Sequence, residues 1–231
     1  MTDPSPGPPA RPRLAIVIPT LDEESQLGRR LPVLVELAEE VVVADGGSRD
    51  GTRRLAATLG ARVVTGAPGR GRQLNLGAAA TDADVLLFVH ADTEIVPASI
   101  QALHRAIAGG AVGGGFLCRF DHPRPIYRLG ERIVNLRTRL TRAPLGDQAQ
   151  FATREAFDAL GGFREWPLLE DLDFIRRLRK HGRVAVLAPP ALTSVRRFER
   201  RGIARTILNN WLIFALYFLG VPAERLERLY R

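Results

Sequence analysis

The chain has 231 residues, 45% hydrophobic and 25% charged, which excludes a wholly disordered, collagen-like or coiled-coil chain and suffices for one domain with a sizeable core. Cys118 is the only cysteine, so an intrachain disulfide and a zinc site built mainly from thiolates are excluded, and the four histidines show no HxxxH or HExxH spacing. The net charge of +8 is carried almost wholly by arginine, with Lys180 the sole lysine; an anionic substrate, lipid headgroup or nucleic acid would account for it, and so would an arginine-biased genome.

Residues 1–12, rich in proline, read as a disordered tail with no apolar run of a signal peptide. Leu14–Ile18 is a short apolar run ending at Pro19 and reads as a buried strand. Glu24–Leu37 has helical periodicity, Glu40–Ala44 is a second strand, and Asp50–Leu59 a helix closed by Gly60. Arg62–Val64, a helix over Gln73–Ala80, the strand Asp84–Val89 and a helix over Pro97–Ala108 follow. Strands alternating with helices predict an α/β fold with a mostly parallel sheet. The second half is less regular: a strand at Val112–Phe120, a helix at Tyr127–Leu140, a strand at Gln148–Ala152, a helix at Leu169–His181 and a last strand at Val184–Leu187. In such sheets ligands sit beyond the carboxyl ends of the strands. Asp22, Glu23, Asp45, His90 and Asp92 all fall there, a recurrence that suits a metal–nucleotide site.

Trp211–Leu219 is an unbroken apolar run, too short for the roughly 20 residues of a spanning helix. A basic cluster, Arg196, Arg197, Arg200, Arg201 and Arg205, precedes it. Two readings stand for this end: attachment to an anionic membrane surface, or packing on the domain or on a second subunit in a homodimer. Residues 13–200 are taken as the main domain and 201–231 as an amphipathic helical extension. Location is expected to be cytoplasmic, with the inner face of the cell membrane as the surface if one is used.

The glycine spacing of a dinucleotide site, a Walker A loop and a GxSxG elbow are all absent. IVIPTLDEE (16–24), VVVADGGSRDGT (41–52), FVHADT (88–93) and LLEDLDFIRRLRKHG (168–182) occur in that order. Together they resemble the successive motifs of family 2 glycosyltransferases, inverting enzymes of the GT-A fold. GRGRQLNLGA (69–78), HADT, GDQ (146–148) and RRFERRG (196–202) are similar to a bacterial arsenosugar-biosynthesis-type subgroup. The chain departs from the family pattern twice: Gly46 follows Asp45 where DDGS has a second aspartate, and His90 stands where DxD has its first.

The resemblance implies a GT-A-like, Rossmann-type nucleotide-binding domain with a mixed, mostly parallel sheet flanked by helices. It implies a nucleotide-sugar donor, UDP-hexose in the first instance, an acceptor hydroxyl on a small or lipid-like molecule, and Mn2+ or Mg2+ as cofactor. Nucleotide contacts are expected from Pro19, Thr20, Glu23, Asp45, Arg72, Asp92 and Arg196, with Arg70 beside Arg72 in a glycine-rich loop that reads as an anion site, and metal ligation from Asp92 and His90. Asp147, Gln148 and Trp166 are expected at the donor sugar or acceptor. Asp171 is the expected general base, with Glu170 orienting the acceptor, although acids first and bases last is also what the dipole of any helix favours. Two other functions compete: a nucleotidyltransferase, which would want a lysine-bearing phosphate loop, and a non-catalytic basic binder of membranes. A nucleic-acid platform would need interleaved aromatics, so nucleic acid is not an expected partner.

Overall fold

The computed structural model describes residues 11–230. The tail expected over 1–12 therefore lies outside the described residues, except for Arg11 and Pro12. The strands are β1 (Leu14–Thr20), β2 (Glu40–Asp45), β3 (Arg62–Thr65), β4 (Val85–Phe88), β5 (Thr93–Glu94), β6 (Gly113–Phe120), β7 (Phe151–Thr153) and β8 (Val184–Thr193). They form one sheet in the order β3-β2-β1-β4-β7-β6-β8-β5. β1, β2, β3 and β4 pair in parallel, as do β6 and β8, while β7 and β5 run antiparallel to their neighbours. The sheet is mixed and mostly parallel, as expected.

Helices cover both faces because the inner strands are apolar on both. In β1, Leu14, Ile16 and Ile18 face one core together with Leu27 and Leu31 of α1 (Glu24–Leu34), Ala56 of α2 (Thr52–Thr58) and Leu103 of α4 (Pro97–Ala108). Ala15 and Val17, one residue out of phase, face a second core. This one takes in Leu74 of α3 (Arg70–Ala79), Phe157 of α6 (Arg154–Ala159) and Phe174 of α7 (Glu170–His181). The period-2 alternation of a strand sends successive side chains to the two layers, so a continuous apolar run is required. Each fully buried Leu, Ile or Phe contributes about 1.5–3 kcal/mol. α3 lies so close to the sheet that a Cβ at Gly77 would stand 2.4 Å from Cγ1 of Val17.

α5 (Pro125–Thr141) leans on β6 through a small cluster of Cys118, Phe120, Tyr127 and Val195. The chain ends in α8 (Arg196–Arg201), α9 (Ile203–Phe218) and α10 (Ala223–Tyr230). Ile213 and Leu226 of the last two are buried in the second core. β8 outruns the expected Val184–Leu187: it continues through Pro189 and Pro190, opposite a register shift between Phe116 and Cys118 of β6. Prolines lack the N–H of a ladder, so the sequence pattern stops there while the strand goes on past an irregularity. The short β5 and α6 carry too little periodicity to be read from sequence.

A candidate active site at the carboxyl edge of the sheet

The parallel strands place the loops after β1, β2, β4, β6 and β8 at one edge, and the antiparallel β7 begins there. Three buried glutamines staple that edge. Gln73 Nε2 donates to the carbonyls of Thr20 and Ala44, at 2.8 and 2.9 Å, tying the ends of β1 and β2 to α3. Gln150 Nε2 donates to the carbonyls of Pro144 and Asp171, at 2.8 and 3.0 Å. Gln148 Oε1 accepts from Arg137, Thr138 Oγ1 and the Leu145 amide, while its Nε2 donates to Phe116 O at 2.9 Å.

Above the staples opens a cleft of about 280 Å³. Its polar lining includes Arg70, His90, Asp92, Asp147, Asp171 and Arg196. Asp171 stands in the first turn of α7, where its Oδ2 accepts the Gly146 amide at 2.7 Å and its Oδ1 the Leu172 amide at 2.8 Å. His90 lies against the same glycine: a Cβ at residue 146 would be 3.0 Å from His90 Nε2 and 3.1 Å from Asp171 Oδ2. Two non-glycine residues beside these groups, Ala149 at φ 46° and Leu169 at φ 64°, hold left-handed backbone. Such strain persists only where the surroundings over-determine it, and it gathers at functional sites.

Across the cleft, Arg196 bridges two acids. Its guanidinium donates to both oxygens of Glu23, at 2.6 and 2.9 Å, and lies 3.5 Å from Asp92 Oδ2. The hydrogen bond to Glu23 raises the Arg196 pKa against the opposing effect of burial, and the charges of Glu23 and Asp92 raise it further. The structure thus brings Glu23, Asp92, His90, Asp147, Asp171 and Arg196 of the sequence reading to one place.

Other expected residues are engaged within the protein. Asp45 is fully buried, with oxygens that accept from Thr20 Oγ1, Ser48 Oγ and the amides of Gly47 and Ser48. Burial pushes its pKa up and these bonds outweigh it, leaving the carboxyl below its ordinary value. It orders its loop and, as it stands, presents no acceptor to a ligand. Thr20, buried and bonded to it, shares that role, and Pro19 is half-buried just before it. Arg72 is exposed and paired with Glu165, its Nε donating at 3.0 Å; the arginine that lines the cleft is Arg70. Glu170 is 1% exposed and bound to Arg70 at 3.0 Å, so it ties α7 to α3 and is shielded from an acceptor. Burial pushes its carboxyl above the ordinary value, against the pull of Arg70 and with the help of Asp171. Gln148 has every polar group engaged within the protein and braces α5, β6 and the turn before β7. Trp166 packs edge-on against Tyr217 of α9, 6.4 Å between ring centroids, under the Arg164 guanidinium; it docks a helix and is not part of the cleft lining.

The sequence reading missed one wall. Thr206, Asn210, Ile213 and Phe214 of α9 line the cleft opposite Leu168. Their spacing marks one helical face, and the two polar residues in an apolar helix were the available signal.

Asp92 and His90 offer a carboxylate and an imidazole on one short loop, donors that suit Mn2+ and, through the carboxylate, Mg2+. Among the described residues no group of three His, Cys, Asp or Glu side chains could enclose an ion. The pair therefore fits an ion that draws its other ligands from water and from substrate phosphate oxygens. The Arg196 guanidinium beside Asp92 already puts positive charge at that place.

Residues 15–163 match the family model of Glycosyl transferase family 2, well over half of the chain. The chain belongs to that family. It is 35% identical over 92 residues to a glucosyl-3-phosphoglycerate synthase of Mycolicibacterium paratuberculosis, across 34% of this chain and 28% of that protein. The match thus spans less than a third of that relative's length. The crystal structure of glucosyl-3-phosphoglycerate synthase from Mycobacterium tuberculosis in complex with Mn2+, UDP and glucosyl-3-phosphoglycerate aligns with a TM-score of 0.57 at 24% identity, over 80% of this chain and 71% of that one. S. aureus TarS 1–349 in complex with UDP-GlcNAc aligns with a TM-score of 0.59 at 17% identity, over 79% of this chain and 58% of that one. At these identities the structures speak for the fold, which is the expected GT-A type. Membership of this family, rather than of a nucleotidyltransferase family, is what the match over residues 15–163 shows. The arsenosugar-type subgroup rests on motif resemblance alone.

Proposed function

We propose that the protein is an inverting glycosyltransferase that moves a sugar from a nucleoside-diphosphate donor, UDP-hexose in the first instance, to an acceptor hydroxyl. The observation that carries this reading is Asp171 in one cleft with Asp92, His90 and the arginines Arg70 and Arg196. A base and a set of cations are what a single displacement needs. The acceptor oxygen attacks the anomeric carbon as its proton passes to Asp171. The bond from that carbon to the diphosphate breaks, and the electron pair leaves with the diphosphate. Asp171 is suited to the role because the Gly146 and Leu172 amides hold its carboxylate in place and it heads a helix, where negative charge is favoured. Arg70 and Arg196 line the cleft where a departing diphosphate would need positive charge. A divalent ion held by Asp92 and His90 would neutralise charge on the leaving group. The cited complexes of the mycobacterial synthase and TarS support uridine as the base and Mn2+ as the ion; the acceptor is left to experiment.

Two substitutions test the reading. Asp171→Asn keeps the shape and removes the base, so transfer from UDP-sugar should fall roughly 10²–10⁴-fold while UDP binding is unchanged. Asp92→Asn should abolish the Mn2+-dependent part of UDP binding in calorimetry. Near-wild-type transfer by the first variant, or intact metal dependence in the second, would remove that residue from the site.

A further inference from the structure

The reaction leaves the outer sides of two helices without a task. α5 runs 17 residues and buries only Tyr127 and Thr138. It turns Ile126, Leu129, Ile133, Leu136 and Leu140 outward, each between 45% and 77% exposed. Their steps alternate between three and four residues, so they form one stripe along the helix. α9 repeats the arrangement: Leu208, Trp211, Leu212 and Phe218 are at least half exposed while Ile213 on the other side is buried. One small cluster links the two helices: Val134 of α5 and Ile203 of α9 both pack on Phe120, Tyr127 and their neighbours. An apolar surface of this extent marks a docking face.

Charge selects the occupant. Arg132 and Arg139 lie exposed on α5, with Arg124 and Arg142 exposed at its two ends. Glu131 is the only acid of α5, and it is taken by Arg128 and by the Phe120 amide. α9 has no acid at all and carries Arg205. A second copy of the chain laid on this face would set arginine against arginine without carboxylates on these helices to meet them. A layer of anionic lipid headgroups supplies the missing negative charge, and the acyl boundary below it takes the apolar stripes. Among the described residues no helix is long and apolar enough to cross a membrane, which leaves a helix lying in the surface. We propose that α5 and the outer face of α9 dock the protein on an anionic membrane. The cleft is lined by the opposite face of α9, so docking sets the cleft at the bilayer.

The test is sedimentation of the full chain with vesicles of phosphatidylcholine, alone or mixed with phosphatidylglycerol. The protein should pellet with the anionic vesicles at low salt, less so at high salt, and little with phosphatidylcholine alone. Leu136→Asp combined with Leu140→Asp alters the two most exposed residues of the α5 stripe and should weaken binding at least roughly tenfold. Arg132→Glu combined with Arg139→Glu tests charge alone and should act in the same direction. Circular dichroism checks the fold of both. Mn2+-dependent UDP binding should be unchanged in both, which separates this proposal from the catalytic one. Wild-type protein that ignores anionic vesicles, or double variants that bind them like wild type, overturns the proposal. So does a dimer, seen by light scattering, that the leucine substitutions turn into a monomer while vesicles are ignored.

Discussion

Gln148 joins α5, β6 and the turn before β7 through a single side chain, and four groups depend on it. Replacing it with leucine would leave the Arg137 guanidinium, the Thr138 hydroxyl, the Leu145 amide and the Phe116 carbonyl short of a partner, all with little water at hand. Buried groups left unpaired cost about 1–3 kcal/mol each, partly relieved by relaxation. Gln148→Leu should thus lower stability by about 2–4 kcal/mol, read from urea unfolding with an unchanged slope. The expectation of a sugar or acceptor contact at Gln148 rests on the family resemblance of GDQ (146–148). Its partners are the side chains of Arg137 and Thr138, the Leu145 amide and the Phe116 carbonyl, three of them on other elements, which no local pattern displays. Gln73 and Gln150 escaped notice for the same reason. Asp92 and His90 stand just past a strand end, where position alone points to the ligand edge, whereas Asp171 stands at a helix start, where any helix favours an acid, and only the family resemblance singles it out.

At the scale of elements, the inner strands and the long helices could be read because each has one strong period. The first turn of α3 was missed: Arg70, Gly71 and Arg72 resemble a loop, and they become helical because Gln73 and the tie from Arg70 to Glu170 hold them. That tie has a pH signature. Burial raises the Glu170 carboxyl above its ordinary 4.5, so folding favours the protonated form there. The stability this group lends is complete below 4.5 and declines as pH rises through the higher value of the folded state. Glu170→Gln is neutral throughout and lacks that decline. Its unfolding free energy relative to wild type should therefore rise between pH 4.5 and neutrality; a difference that stays flat across the window would show that Arg70 compensates the buried charge in full.

For the molecule as a whole, the question is whether α9 and α10 are an appendage or part of the domain. Sequence favours a boundary at residue 200, because an unbroken apolar run behind a basic cluster fits a membrane or a partner as well as a core. The structure divides the sides of α9: one face lines the cleft and enters the second core through Ile213, and the other is exposed. Leu226 of α10 is fully buried in that core, and Tyr217 receives a hydrogen bond from Arg176 of α7 at 3.1 Å. Removing residues 203–231 would strip two large buried side chains and uncover the apolar surface beneath them. At about 1.5–3 kcal/mol for each side chain, the loss is about 3–6 kcal/mol, a large share of the 5–15 kcal/mol typical of a folded domain. The shortened chain should therefore unfold at clearly lower urea or aggregate, and should lose the cleft wall with it. A shortened chain that keeps the full-length midpoint would show that the two helices are attached to a domain complete without them. Because the expected outcome is damage to the whole fold, loss of vesicle binding on truncation would say nothing of the surface, whereas substitutions on the exposed stripe of α5 leave the core untouched.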